Sequence, residues 1–215
     1  MPKNKGREPG PPMKTRDRIV ETALALFNEK GAVRVTTNHI AEAAGISPGN
    51  LYYHFRNKEE IVRAIFDRII ADFDLLYGRG KDAAPAAVVF FSVFIKTCDL
   101  YYRYRFFYLE LATLLGQDPI LKKRYVANLR TRFRQQKDYY GALIRAGVLL
   151  PSSEKELVGN LTNGWIISDF WLTWLYISDA KITPERIGES VRHIYLLLKP
   201  HLSPEADAEI RALLP

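Results

Sequence analysis

The sequence predicts an all-α protein, and three observations carry that expectation. Apolar residues recur at spacings of three and four along most of the chain. The stretches so marked begin at capping residues or at prolines, which preset the helical φ, and several stop at a glycine. No segment alternates apolar and polar residues over the length of a strand. With 215 residues and 47% apolar content the chain can bury a substantial core, and a small unit joined to a larger one fits it best.

Each element has its own local reason. The opening MPKNKGREPGPP holds proline, glycine and charge with almost nothing to bury, so residues 1–13 are expected to form a flexible basic arm. From Lys14 to Lys30, Ile19, Ala23, Leu26 and Phe27 form a stripe that ends at Gly31. Thr36 or Thr37 can cap a second helix, whose Ile40, Ala41 and Ala44 face inward and which must stop at Gly45. Ser47 and Pro48 then supply a cap and a first residue for a short third helix. Asn57 with Glu60 matches reciprocal capping, and Ile61, Ile65, Ile69 and Phe73 continue a helix to Tyr77. After GRGKDAAP, Pro85 is expected to open one helix reaching Leu115, and Asp118 with Pro119 another ending near Gly147. Ser153 with Glu156, Thr183 with Pro184, and Ser203 with Pro204 open the last three. The expected organisation is therefore a helix-turn-helix domain over 14–57, a linking helix over 58–77, and a larger helical domain over 78–215.

The third helix is short and amphipathic in an unusual way. Leu51 and Phe55 occupy its inner face, while Gly49, Asn50, Tyr52, Tyr53 and His54 present hydrogen-bonding groups elsewhere, a surface suited to base edges and phosphates. The run from Lys14 to Ile65, with its ALALFNEKG, TTNHIAEAAGIS, GNLYYHF and NKEEI segments, resembles the DNA-binding domain of the TetR (tetracycline-repressor) family of bacterial transcriptional regulators. The motif spans about a quarter of the chain, and the remainder agrees with that family in length and helical character.

The resemblance implies a set of contacts. Thr36 lies at the start of the motif; Thr37, Ser47, Tyr53 and Lys58 correspond to phosphate contacts, and Gly49, Asn50, Tyr52 and His54 lie where base edges or nearby backbone are reached. Gly49 either lets the backbone approach the groove or reflects helix-end geometry alone. Pro48 stands where family members often carry lysine or another polar residue, so helix initiation replaces a side-chain contact there. A formal charge of +7 favours a polyanionic partner, and Lys3, Lys5, Arg7, Lys14, Arg16 and Arg18 are expected to add general attraction to DNA.

A two-turn helix reads few bases, so a homodimer on a roughly palindromic operator of double-stranded DNA is expected. Leu161, Gly164, Ser168, Trp171 and Leu175, with Ile187, Val191, Ile194 and Leu198, recur at spacings of three and four and are taken as the dimer face on the strength of the resemblance. Periodicity alone equally allows these stripes to pack on their own domain. The stretch from Val88 to Leu115 is apolar nearly all round. Phe91, Phe94, Cys98, Tyr101, Tyr102 and Phe106, faced by Asn163, Phe170 and Trp174, are expected to line a pocket for a hydrophobic or amphipathic small molecule. Rows of cations at Arg103, Arg105 and between Lys122 and Lys137 read as a solvated face rather than an anion site.

Other classes find little support. The four histidines are dispersed, His193 and His201 reading as packed or surface residues, and there is no phosphate loop, nucleotide fingerprint or serine elbow; no enzyme, cofactor or metal site is expected. The single Cys98 forms no intramolecular disulfide, no apolar leader is recognisable, and the most apolar helix is interrupted by Asn160, Asn163 and Asp169, so a cytoplasmic protein without a membrane span is expected. The alternatives are a helical small-molecule carrier or sensor that does not bind an operator, and a nonspecific DNA-packaging protein.

Overall fold

The computed structural model describes residues 14–78 and 86–214. The expected basic arm and the start assigned to Pro85 lie outside them. Eleven α-helices are formed by the described residues: α1 Thr15–Lys30, α2 Thr37–Ala43, α3 Pro48–His54, α4 Lys58–Gly78, α5 Ala87–Arg103, α6 Arg105–Leu109, α7 Leu111–Gln117, α8 Pro119–Arg145, α9 Glu154–Ile177, α10 Pro184–Leu198 and α11 Pro204–Arg211. Extended pairing among them is confined to one bridge, Leu149 with Leu202. No helix of the described residues is long and apolar enough to cross a membrane.

The chain divides into two units, with the boundary inside α4 between Ile65 and Phe66. In the first, Ile19, Ala23 and Phe27 of α1, Ile40 and Ala41 of α2, and Leu51 of α3 are buried with Phe55. The turn between α2 and α3 closes as the glycine requires. Gly45 has φ 63°, its N–H donates to Glu42 O at 3.0 Å, and the Ile46 N–H donates to Ala41 O at 3.0 Å, which satisfies two carbonyls that the end of α2 leaves free. Asn57 Oδ1 accepts from the Glu60 N–H at 2.9 Å, but the Glu60 carboxylate reaches one residue further back than the reciprocal pattern, to the Arg56 N–H at 2.8 Å.

In the second unit, α10 packs on α9 and α5, α6 on α9, and α8 on α7 and α9. The starts read from the sequence are present: Asp118, Ser153, Thr183 and Ser203 each accept backbone N–H groups of the helix they precede. One expectation is corrected. The single helix expected to reach Leu115 is three, α5, α6 and α7, broken at Tyr104 and Glu110, where ψ opens to 26° and 12°. No glycine or proline marks either break. The cause is tertiary: Tyr104 is fully buried and its hydroxyl donates to Asp72 Oδ2 at 2.7 Å, while the breaks let α5 face α10 and α6 face α9.

Candidate functional site

The short helix α3 has a buried half and a free half. Leu51 and Phe55 are buried, and the Arg16 guanidinium lies 4.7 Å over the Phe55 ring. Ser47 Oγ accepts the Asn50 N–H at 3.2 Å and Pro48 is the first helical residue, so the start of α3 is fixed locally. Ser47, Pro48, Gly49 and Asn50 are all exposed. Tyr53 is 85% exposed and makes an edge contact with His54, ring centroids 5.1 Å apart. Tyr52 is also exposed, and its hydroxyl shares a hydrogen bond of 3.0 Å with Thr37 Oγ1, tying α3 to the start of α2.

Two further expected contact residues, Thr36 and Lys58, also serve the fold. Thr36 caps α2: its hydroxyl accepts the His39 N–H at 3.3 Å, and His39 Nδ1 accepts the Thr36 N–H at 3.3 Å. Histidine there stands in for the usual Glu or Gln of this box, which is why the sequence did not announce it. The Lys58 ammonium donates to Ala32 O at 2.6 Å, leaving two of its three N–H groups for another acceptor.

The second unit holds an inner cavity of about 70 Å3 walled by α4, α5, α6, α8, α9 and α10. Phe73 and Tyr77 of α4, Phe94 and Tyr101 of α5, Tyr108 of α6, Tyr125 and Arg132 of α8, and Trp165 and Asp169 of α9 are on its wall. An outer groove of about 850 Å3 runs between α7, α8 and α9, and shares Tyr125, Trp165 and Asp169 with the cavity.

Asp169 is the chemical centre of this region. It is 6% exposed; its Oδ1 accepts from the Tyr101 hydroxyl at 3.4 Å and its Oδ2 from the Tyr125 hydroxyl. Burial pushes its carboxyl up to about 6, against the opposing effect of the two hydroxyls. Burial and the carboxylate hold the Tyr101, Tyr108 and Tyr125 phenols well above their usual range, so they remain neutral donors. Arg132 is buried as well, paired with Asp74 at 2.8 Å and lying 5.7 Å over the Tyr77 ring. The sequence offered one signal for Asp169, a carboxylate in the middle of the most apolar helix, a position where ionised groups are rare. Nothing local pointed to Tyr125, Tyr108 or the α4 wall.

Of the residues expected to form the pocket, Phe94 and Tyr101 are on the cavity wall. Phe91, Cys98 and Phe106 are instead core, buried outside that wall, and the Cys98 thiol is pushed up to about 11 chiefly by burial, an inert state. Tyr102 lies under the Arg105 guanidinium at 4.8 Å. Asn163, Phe170 and Trp174 do not face α5: they are exposed, Phe170 48% and Trp174 56%, with only Phe170 bordering the groove.

The expected dimer stripe is corrected in the opposite sense. Leu161, Leu175, Ile187, Val191, Ile194 and Leu198 are buried within the chain, and Leu161, Gly164, Ser168, Ile194 and Leu198 border the cavity. Trp171 is tied to α10 through its Nε1–H donating to Arg186 O at 2.8 Å. The two faces of α9 are thus exchanged relative to expectation. A helix apolar on all sides gives no periodicity to orient it, and contact with α6, α8 and α10 decides which side is inside.

A family profile described as "Bacterial regulatory proteins, tetR family" matches residues 19–65, and one described as "Bacterial transcriptional repressor" matches residues 76–210. The chain belongs to the TetR family. It is a DNA-binding transcriptional repressor. A crystal structure of a TetR-family transcriptional regulator from Marinobacter aquaeolei VT8 is similar to this regulator at a TM-score of 0.85 and 32% identity, covering 94% of this chain and 97% of that one. The transcriptional repressor KstR2 of Mycolicibacterium smegmatis is 25% identical over 198 residues, 87% of this chain and 92% of its own length. The complex of SmeT with triclosan shares the fold at a TM-score of 0.68 and 19% identity, over 89% of this chain and 93% of that one.

Proposed function

We propose that two copies of this regulator bind a palindromic operator through α3 and the residues around it, and that a hydrophobic or amphipathic effector in the second unit releases them. Tyr53, Thr37, Ser47 and Lys58 take phosphates, and Asn50, Tyr52, His54 and the backbone at Gly49 reach base edges. The observation that carries this reading is the split of α3: Leu51 and Phe55 meet the needs of the core, while Asn50 and Tyr53 stand exposed with no role in burial. The protein acts by binding rather than by catalysis, in the cytoplasm where its operator is. In this reading residues 14–57 serve DNA and 78–215 serve effector and partner, with the linking helix of 58–77 joining them.

Dimerisation uses the exposed face of α9. Asn163, Ile166, Phe170, Trp174 and Ile177 follow one another at spacings of three and four on that side, and all but Asn163 are large apolar groups left in solvent. A second copy of the same face covers them and sets the two α3 helices roughly 34 to 36 Å apart, one turn of DNA. Phe66, Ile69, Phe73 and Tyr77 of α4 border the cavity, and the same unbroken helix begins at Lys58 beside α3. An effector that fits the cavity better in a conformation unsuited to the operator therefore weakens DNA binding, by roughly 1 to 3 kcal/mol for ordinary coupling.

Selection of random DNA by the purified protein tests the reading. Palindromic sequences, lost with Tyr53→Ala and with Trp174→Glu, are the expected outcome. Equal affinity for all sequences at fixed salt favours the packaging protein instead, and absence of DNA retention favours the carrier.

A further inference from the structure

We propose that the effector carries a compact cationic head, such as a protonated amine, which sits against Asp169 among the tyrosines of the inner cavity while an apolar body fills the outer groove. This rests on reading the second unit as an effector domain and adds the chemistry of the ligand.

The carboxylate is the reason. Asp169 accepts hydrogen bonds from Tyr101 and Tyr125, but these are dipoles and leave a net negative charge, and among the described residues no cation is within ion-pair distance of it. A buried carboxylate without a counter-charge is costly, and a cationic ligand removes that cost. The cation lining the same cavity, Arg132, is already paired with Asp74 and cannot serve.

The surroundings suit a cation. Phe73, Tyr101 and Tyr108 form a chain of rings, with centroids 5.8 Å apart for the first pair and 4.4 Å for the second, and their faces attract positive charge. The Trp165 Nε1–H is buried with no hydrogen-bond partner among the described residues, so an ether, hydroxyl or carbonyl oxygen next to the amine has a donor waiting. A cavity of about 70 Å3 admits a head of a few heavy atoms and no more. The groove beyond is lined by Leu111, Leu115, Leu129 and Phe133 and has room for the rest of the molecule.

Arg130 and Arg134 also border the groove and would by themselves prefer an anion. Both are exposed, so solvent and salt screen them, whereas Asp169 acts in a region from which water is excluded. The buried charge sets the sign at the inner end.

The test uses the full-length protein and three probes with one tail: phenylbutylamine, phenylbutanol and phenylbutanoate, titrated at neutral pH by calorimetry without DNA. The amine is expected to bind at least about tenfold more tightly than the alcohol, the strength of a hydrogen bond to a charged group, with the carboxylate weakest. Asp169→Asn is expected to erase the preference for the amine while the alcohol binds as before. No preference for the amine in the wild type, whatever the absolute affinities, overturns the proposal, and so does a preference for the carboxylate. The wild-type ranking decides the matter even if Asp169→Asn does not fold. Because the readout contains no DNA, failure to bind an operator appears separately and bears on the function proposed above.

Discussion

The two units of this protein place the side chains proposed to meet their ligands in opposite environments. Around α3, Asn50, Tyr52 and Tyr53 are exposed, held in position by a cap at Ser47 and by two buried residues behind them. In the second unit, Asp169, Tyr101 and Tyr108 line an inner cavity, with the carboxylate buried among hydroxyls. The difference follows from the ligands. A polyanion as large as DNA must be met by groups in solvent, where each is weak and many act together, whereas a small molecule gains from one or two groups freed of water. One consequence is that Asn50 and Tyr53 of the first unit can be changed with little effect on stability, whereas Asp169 of the second cannot.

Substitutions can break that comparison, beginning with the largest effect. Leu51→Ala removes the buried anchor of α3 and is expected to cost roughly 2 to 5 kcal/mol, seen in urea unfolding, with DNA binding lost as a secondary effect. A loss much below that range means the free half of α3 holds the helix in place, contrary to the split described here.

Next comes the pH dependence of the second unit. The Asp169 carboxyl stands at about 6 in the folded chain against 3.8 for an ordinary aspartate, so the folded state binds more protons than the unfolded one between those values. Its contribution to stability is therefore greatest below about pH 4 and is lost as pH rises towards 6, in total about 2 to 3 kcal/mol. Asp169→Asn should abolish that dependence and raise the melting temperature at neutral pH, which differential scanning calorimetry across pH can measure. An unchanged melting temperature indicates that the buried charge is compensated.

Gly45→Ala probes the turn with fewer complications. A Cβ at Gly45 meets nothing within 4 Å, so the cost is that of a left-handed backbone alone, about 1 to 2 kcal/mol in thermal unfolding. The smallest effect on stability is expected for Tyr53→Ala, within about 0.5 kcal/mol for an exposed position, while operator affinity falls about tenfold or more in a gel-shift titration. If stability falls with affinity, the two roles are not separated in the first unit either.

What the sequence revealed differs between the units for the same physical reason. The starts of α2, α3, α8, α9, α10 and α11 were legible because a cap acts on N–H groups two or three residues away, and Gly45 because a positive φ is a property of one residue. The exposed residues of α3 proposed to face DNA were legible as a surface because α3 has one apolar side and one polar side. By itself, then, the chain determined an all-α fold, a helix-turn-helix and its exposed face. Only the tertiary structure decided where α5, α6 and α7 part, which side of α9 is buried, and that Asp169 meets Tyr101 of α5 and Tyr125 of α8. Hydrogen-bonded caps and turns are complete within a few residues, but a helix that is apolar all round acquires an inside and an outside only from the helices packed against it.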